Sequence, residues 1–333
     1  MWTDDSLKVI RENFVAAAVP TQLCRAEGPE GEFLRMAGID KRWVTSNGYM
    51  SCVSASGVYL GDRPTEKALE AFRKLPEADR KPEPPRELEP SERKIPAPPP
   101  GGLVLRVHGR FLSREPDGRL RYARLEDFPL TDGKSSYQKF LEPNTECMWI
   151  TEAEWKALVP SDPVKGMKVV VPPSVVERIA RFHLTPRRSM TSEGHGLGKA
   201  AVKEAVATLA VDDVSPERIR MLLEGSVRTG ADYVEAEATS PNGPLRFGFA
   251  SPLRGILEVD RKTGAFVRFD VVASGEVWGR WGDANGKSLF VERPGRTPFA
   301  YAFELATGDS PADRIPPGGN GAYVAEKTGY FGR

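Results

Sequence analysis

Apolar residues recur along this chain in two rhythms, and the change falls at a proline-rich stretch. Before it, spacings of three and four predominate. Leu7, Ile10 and Phe14 follow that spacing and predict a helix over residues 3–13. The run "NFVAAAV" (13–19) has the length of a buried strand. "GPEGEFLRMAG" (28–38) predicts a short helix closed by Gly38. "YMSCVSASGVYLG" (49–61) alternates on both sides of Ala55-Ser56-Gly57, a hairpin signal. "RPTEKALEAFRKL" (63–75) is helical, with Thr65 placed to cap it and Leu69, Phe72 and Leu75 as its apolar stripe.

Residues 76–102 contain nine prolines among many charges. Proline removes backbone donors and fixes φ, and the charges oppose burial, so a semi-rigid linker is expected over 77–102. It separates residues 1–76 from residues 103–333.

Beyond the linker the period changes to two. "LVLRVHGRFLSREPDGRLRYARL" (103–125) is a hairpin about Pro116-Asp117-Gly118. Thr151 and Glu154 have capping-box spacing for a helix over 151–158. "VPPSVVERIARFHL" (171–184) is a second short helix, with Val175, Ile179 and Phe182 on its apolar side. "VKEAVATLAV" and "RIRMLLEGSV" alternate across "DDVSPE", and a hairpin turns at Lys262-Thr263-Gly264. "KSLFVE" and "FAYAFEL" add strands, and 308–333 reads as irregular. Strict alternation sets Phe247 and Phe249 on one face and puts Phe266 and Phe269 on opposite faces. The expected fold class is α+β: a small α/β domain whose order of elements resembles a minimal thioredoxin-like domain, the linker, then an antiparallel barrel- or sandwich-like domain with two short helices.

Bulk charge narrows the partners. Lys plus Arg is 47 against 46 Asp plus Glu, a net charge of +1. So even a balance gives no general attraction to nucleic acid or to anionic membranes. No apolar run reaches the roughly 18–20 residues that span a bilayer. The opening "MWTDDSLKVIRENF" lacks the basic start and apolar middle of a secretory signal, so a soluble, cytoplasmic protein is expected. Three cysteines are too few for a disulfide framework, and three histidines without paired-ligand spacing predict no metal and no cofactor.

The order helix, strand, helix, hairpin, helix over residues 1–76, with Cys24 after the first apolar run, resembles a thioredoxin-like domain. The resemblance implies that Cys24 occupies the nucleophile position at a helix start, where a thiolate is favoured. The resolving cysteine three residues on is replaced by Glu27, and the site of the family's cis proline falls near Gly48-Tyr49. Both departures speak against disulfide exchange. Across the whole chain, "NFVAAAV", "GEFLRMAG", "ITEAEWKALVP", "FDVVASGEVWG" and "PGRTPFAYAFELATGDS" resemble a group of bacterial proteins of uncharacterised activity. These join a thioredoxin-like part without the Cys-x-x-Cys pair to a β-rich part, which implies fold and no activity.

Other candidate chemistry is sparse. Cys52 sits mid-strand as a small apolar residue, and a Cys24–Cys52 disulfide is conceivable. Cys147, beside Met148 and Trp149, is expected to help dock the capped helix; as a nucleophile it would need His183, the nearest histidine in sequence, as base. "TSEGHGLGKAA" fails two fixed positions of a phosphate loop, Glu193 and Ala200, but Arg187, Arg188, His195 and Lys199 could bind an anion. Trp278 and Trp281 end a strand before the turn-rich "GDANGK" and could line an apolar pocket at a barrel mouth. The leading expectation is a non-enzymatic binding or scaffold protein whose β domain takes a small molecule or a protein. A thiol oxidoreductase using Cys24 and a hydrolase or anion-binding enzyme using the 187–199 loop are the alternatives.

Overall fold

A computed structural model describes residues 4–15, 29–39, 51–62, 65–81, 96–127, 143–185, 196–238, 246–279, 295–308, 310, 313, 315–318, 324 and 328–332. The chain separates into two compact units, 1–94 and 95–333.

The first unit carries helices α1 (Asp4–Asn13), α2 (Pro29–Met36), α3 (Thr65–Lys74) and the single turn α4 (Glu77–Arg80), with a two-stranded antiparallel sheet of β1 (Cys52–Val53) and β2 (Tyr59–Gly61). Gly57 closes the hairpin at φ 83°, where a side chain would also meet the Met36 methyl. Leu34, Ala37 and Ile39 form a small core with Phe33 and Val53 packed on it. Asn13, the first residue of the expected strand "NFVAAAV", ends α1, and residues 16–19 lie outside the described residues, as does Cys24. The expected extended linker begins instead with α4, and 82–95 lie outside the described residues.

The second unit is built on one antiparallel sheet of nine strands: β3 (Leu103–Arg114), β4 (Leu120–Tyr122), β5 (Asn144–Ile150), β6 (Lys168–Val170), β7 (Val202–Val214), β8 (Arg218–Gly230), β9 (Phe247–Asp260), β10 (Phe266–Gly279) and β11 (Thr297–Leu305). The order is β4-β3-β11-β10-β9-β8-β7-β6, with β5 pairing the first half of β3. A single sheet replaces the two facing sheets of a sandwich. Its long hairpins obey the alternation of the sequence. On β8, for example, Ile219, Met221, Leu223 and Val227 are buried and alternate with less buried, mostly polar neighbours. The β9–β10 turn is held by Asp260, whose carboxylate accepts from the Lys262 and Thr263 main chains, with Gly264 at φ 69°.

Two features beyond regular alternation shape the sheet. A register shift between Phe266 and Arg268 turns both Phe266 and Phe269 inward, where their rings meet edge to face at 5.5 Å. This corrects the expectation that they lie on opposite faces; the bulged residue resets the parity. Gly225 and Gly275 occupy inward positions in mid-strand. A Cβ on either would lie 2.3 Å and 2.1 Å from a neighbouring strand's carbonyl oxygen, so the neighbouring strands approach closely there.

The inner face is closed by α5 (Glu152–Lys156) and by α6 (Pro173–Arg178), which runs on into one π-helical turn, Ile179–His183. Val175, Val176, Ile179, Ala180 and Leu184 join the sheet's inner side chains in one core. Each fully buried aliphatic side chain there contributes about 1.5–3 kcal/mol. Among the described residues, no helix is long and apolar enough to cross a membrane. The expected strand "KSLFVE" lies outside them.

Candidate functional site

The densest polar chemistry of the second unit is buried where α6 meets the edge strand β5. It begins with the capping box that the sequence foretold. The Thr151 hydroxyl accepts from the Glu154 main chain, and the Glu154 carboxylate accepts from the Thr151 N–H at 3.0 Å. Glu154 also accepts two bonds from Arg178, at 2.6 and 2.8 Å. Burial, the largest single influence, raises the Glu154 carboxyl, but the hydrogen bonds and charge of Arg178 together with the Thr151 hydrogen bonds outweigh it, and the group ends below its usual range.

Arg178 is 1% exposed and every one of its nitrogens has a task. Its Nε donates to the Tyr330 carbonyl at 2.6 Å and its Nη1 to the Trp149 carbonyl at 3.1 Å. The guanidinium also faces the rings of Tyr330 and Phe331, each at 5.0 Å. One turn on, Arg181 is tied to Glu177 at 3.3 Å and to the Leu197 carbonyl at 2.9 Å, and donates to the Thr328 carbonyl at 3.1 Å.

The π turn explains why these side chains converge. An extra residue in the turn rotates the next side chains about the helix axis. Phe182, expected beside Val175 and Ile179, instead leaves that core and packs with Trp149 and Tyr330. His183 turns inward after it. Its Nδ1 lies 3.0 Å from a Glu146 oxygen and its Nε2 lies 2.8 Å from the Tyr330 hydroxyl. The Trp149 main-chain N–H donates to the same hydroxyl at 3.1 Å. A carboxylate only accepts, so the ring proton sits on Nδ1 and the phenol donates to Nε2; every group is then satisfied.

A carboxylate, an imidazole and a hydroxyl in a row are the parts of a nucleophilic relay. Here the hydroxyl is a buried phenol, and burial drives its pKa far above the usual range. The relay therefore holds the ring in place. It also protects the sheet edge, because the outward N–H and C=O of Trp149 are taken by Tyr330 and Arg178.

Cys147 and His183 do not form a pair. Cys147 is opposite Arg106 on β3, while its neighbour Glu146, facing the other way, takes His183. Burial foremost pushes the Cys147 thiol up to about 11, and nearby Asp313 and Glu146 act in the same direction. On α5 it is Trp155 that docks, with its indole N–H on the Gly101 carbonyl at 2.8 Å and its ring 6.0 Å from Phe266. The Cys52 thiol in β1 is raised by burial and by Asp62.

Of the other expected site residues, Lys199 and Trp278 are described. Cys24, Arg187, Arg188, His195 and Trp281 lie outside the described residues. Lys199 opens a 3-10 turn, 68% exposed, with Glu177 at 4.0 Å. Trp278 is 4% exposed. It lies over Gly248, where a Cβ would stand 2.3 Å from the indole, and its N–H donates to the Ala231 carbonyl at 3.0 Å. Arg296 stacks on it and on Tyr233, at 5.1 and 4.4 Å. An apolar void of about 20 Å³ lies elsewhere, beneath α6, lined by Val175, Val176, Leu223, Leu253, Val271 and Phe303 among others. Among the described residues, no three of His, Cys, Asp and Glu stand together as metal ligands.

Sequence reasoning passed over Glu146, Arg178, Arg181 and Tyr330. The available signal was two arginines inside the apolar helix "VVERIARFHL" and the aromatic pair in "TGYFG". Comparison with family models, with curated proteins and with solved structures gives no match to this chain.

Proposed function

We propose that the chain is a non-enzymatic binding protein, in which a redox-degenerate thioredoxin-like unit serves as scaffold and the β-rich unit binds a protein partner. The observation that supports a binding role is the commitment of the site's reactive groups. Both His183 nitrogens are engaged, the Tyr330 phenol is buried and held protonated, and the arginines hold main-chain carbonyls. Such an arrangement grips polypeptide and offers no side chain to a substrate. The test is capture by the full chain, then re-binding of each captured protein in purified form. A saturable complex supports the reading. Turnover of any small substrate that is lost in His183→Ala would overturn it.

A second reading has its own observation. The void beneath α6 is apolar on every side, so a small apolar ligand could enter if α6 moved. Displacement of 1-anilinonaphthalene-8-sulfonate, blocked by Val175→Ile, would favour that reading over a protein partner. The thiol reading rests on Cys24, and the anion reading on Arg187, Arg188, His195 and Lys199; no distance supports either.

A further inference from the structure

We propose that the pocket formed by Arg178, Arg181, His183, Trp149 and Phe182 is a recognition site for a Gly-Tyr-aromatic turn in a polypeptide, filled in cis by residues 328–331. It deepens the protein-binding reading and rests on it only in asking for a polypeptide partner.

The pocket's walls are braced without the occupant. Glu154 holds Arg178, and the Thr151 box holds Glu154. Glu177 and the Leu197 carbonyl hold Arg181, and Glu146 holds His183. Each recognition group also gives a bond to a single short stretch. Arg178 and Arg181 read the carbonyls of Tyr330 and Thr328, two residues apart. His183 and the Trp149 N–H read the hydroxyl.

The manner of the hold also fits a recognised peptide. The occupant comes from 147 to 181 residues away in sequence. Carbonyl contacts recognise a backbone shape whatever the side chains, and an aromatic slot with a polar end recognises tyrosine. Phe182 meets the Tyr330 ring edge to face at 5.0 Å, and Phe331 stands 5.0 Å from that ring. Gly329, at φ 68°, gives the turn a conformation that other residues rarely adopt. The recognised unit is thus Gly-Tyr-Phe in a tight turn, closed by the Gly332 N–H on the Gly329 carbonyl at 3.1 Å.

The slot discriminates between aromatic side chains. A phenylalanine in it would leave the Trp149 N–H and His183 Nε2 without their hydroxyl. The site therefore prefers tyrosine, and residues 328–331 compete with any partner that carries the motif.

The experiment uses the full chain with Tyr330→Ala and a labelled peptide, Lys-Thr-Gly-Tyr-Phe-Gly, read by fluorescence anisotropy. The variant is expected to bind saturably, and the wild-type chain at least about tenfold more weakly because its own segment competes. The Tyr→Phe peptide should bind about tenfold more weakly or worse. A folded Tyr330→Ala chain that ignores the peptide at about 1 mM would overturn the proposal, as would equal binding of the two peptides. Should Tyr330→Ala not fold, amide exchange of the wild-type chain decides. Exchange at residues 328–331 and Trp149 at least about 100-fold faster than in β8 and β9 supports a detachable occupant. Exchange only on global unfolding makes the segment core and ends the idea. A captured partner that binds Arg181→Met as well as wild type would keep the protein-binding reading and sink this one.

Discussion

Both carboxylate oxygens of Glu154 accept hydrogen bonds from the Arg178 guanidinium, at 2.6 and 2.8 Å, and that arginine is almost wholly buried. The pair joins the capping box of α5 to α6. Removing one partner strands the other charge away from water, which in buried pairs costs about 3–5 kcal/mol. Glu154→Ala is therefore expected to lose about 3 kcal/mol. That lowers Tm by roughly 6–12 °C in a unit of this size. Arg178→Met on top of it should add less than it does alone, because the charge left stranded by the first change is gone. Thermal denaturation of the wild type, both single variants and the double variant measures this; full additivity would show that the pair is not coupled.

Acid should weaken the fold through the same carboxylate. Glu154 is held below its usual range despite burial, and Asp313 is lowered by its bidentate bonds from Arg106, at 2.6 and 2.9 Å. A depressed carboxyl contributes its stability above the unfolded value, about 4 for these groups. As pH falls, the unfolded chain takes up protons first, and the contribution is lost as pH passes down through the folded value. The urea midpoint should stay level from neutrality to about pH 5 and drop below about pH 4. Glu154→Gln should flatten that drop, and an unchanged slope would exclude Glu154 as a source.

Alkali should act through the thiols. Burial keeps Cys147 protonated up to about 11 and also raises Cys52, while an unfolded thiol ionises near pH 8.5. Above that pH the unfolded chain releases protons that the folded chain retains, so stability falls as pH rises. The slope is up to about 1.4 kcal/mol per pH unit for each thiol. Cys147→Ala should reduce the slope between about pH 8.5 and 10. Iodoacetamide labelling read by mass spectrometry should modify Cys52 and Cys147 rapidly only in denaturant; rapid native labelling would contradict their burial.

The parts legible in the sequence are those fixed by neighbours. Thr151 and Glu154 stand three apart, and that spacing is enough to specify a capping box. Lys262-Thr263-Gly264 places the β9–β10 turn because a glycine accepts φ 69° where other residues resist it. The alternation on β8 shows directly which side chains face inward. The candidate site was not legible, because its members lie far apart in the chain. Nothing local ties Glu146 to His183 or Tyr330 to Trp149. The one local clue, arginines within an apolar helix, reads as a solvated face until a π turn brings both sides of that helix into contact with protein. Alternation misplaces Phe266 and Phe269 for a related reason: a bulge leaves no mark in a pattern of period two.

The close approach of neighbouring strands on the sheet's inner face depends on inward positions with no side chain. At Gly275 a Cβ would stand 2.1 Å from the Ala250 carbonyl oxygen and 2.6 Å from the Ser251 Cβ. At Gly225 it would stand 2.3 Å from the Val206 carbonyl oxygen and 2.8 Å from the Ala207 Cβ. These neighbours are backbone or the first atom of a side chain, so they cannot swing aside, and relief requires the strands to part. Gly275→Ala and Gly225→Ala are each expected to cost about 1–3 kcal/mol, the range for overpacking. The two glycines press on different strands, β9 and β7, and none of their nearest atoms is common to both, so the double variant should cost their sum within about 0.5 kcal/mol. Gly198→Ala is the control. Its φ is −60° and nothing lies within 4 Å of the new methyl, so it should be neutral or stabilising by up to about 1 kcal/mol. Urea titrations of the four variants beside the wild type measure these costs. If Gly275→Ala matched Gly198→Ala, the close strand approach at β10 would not be a tight constraint.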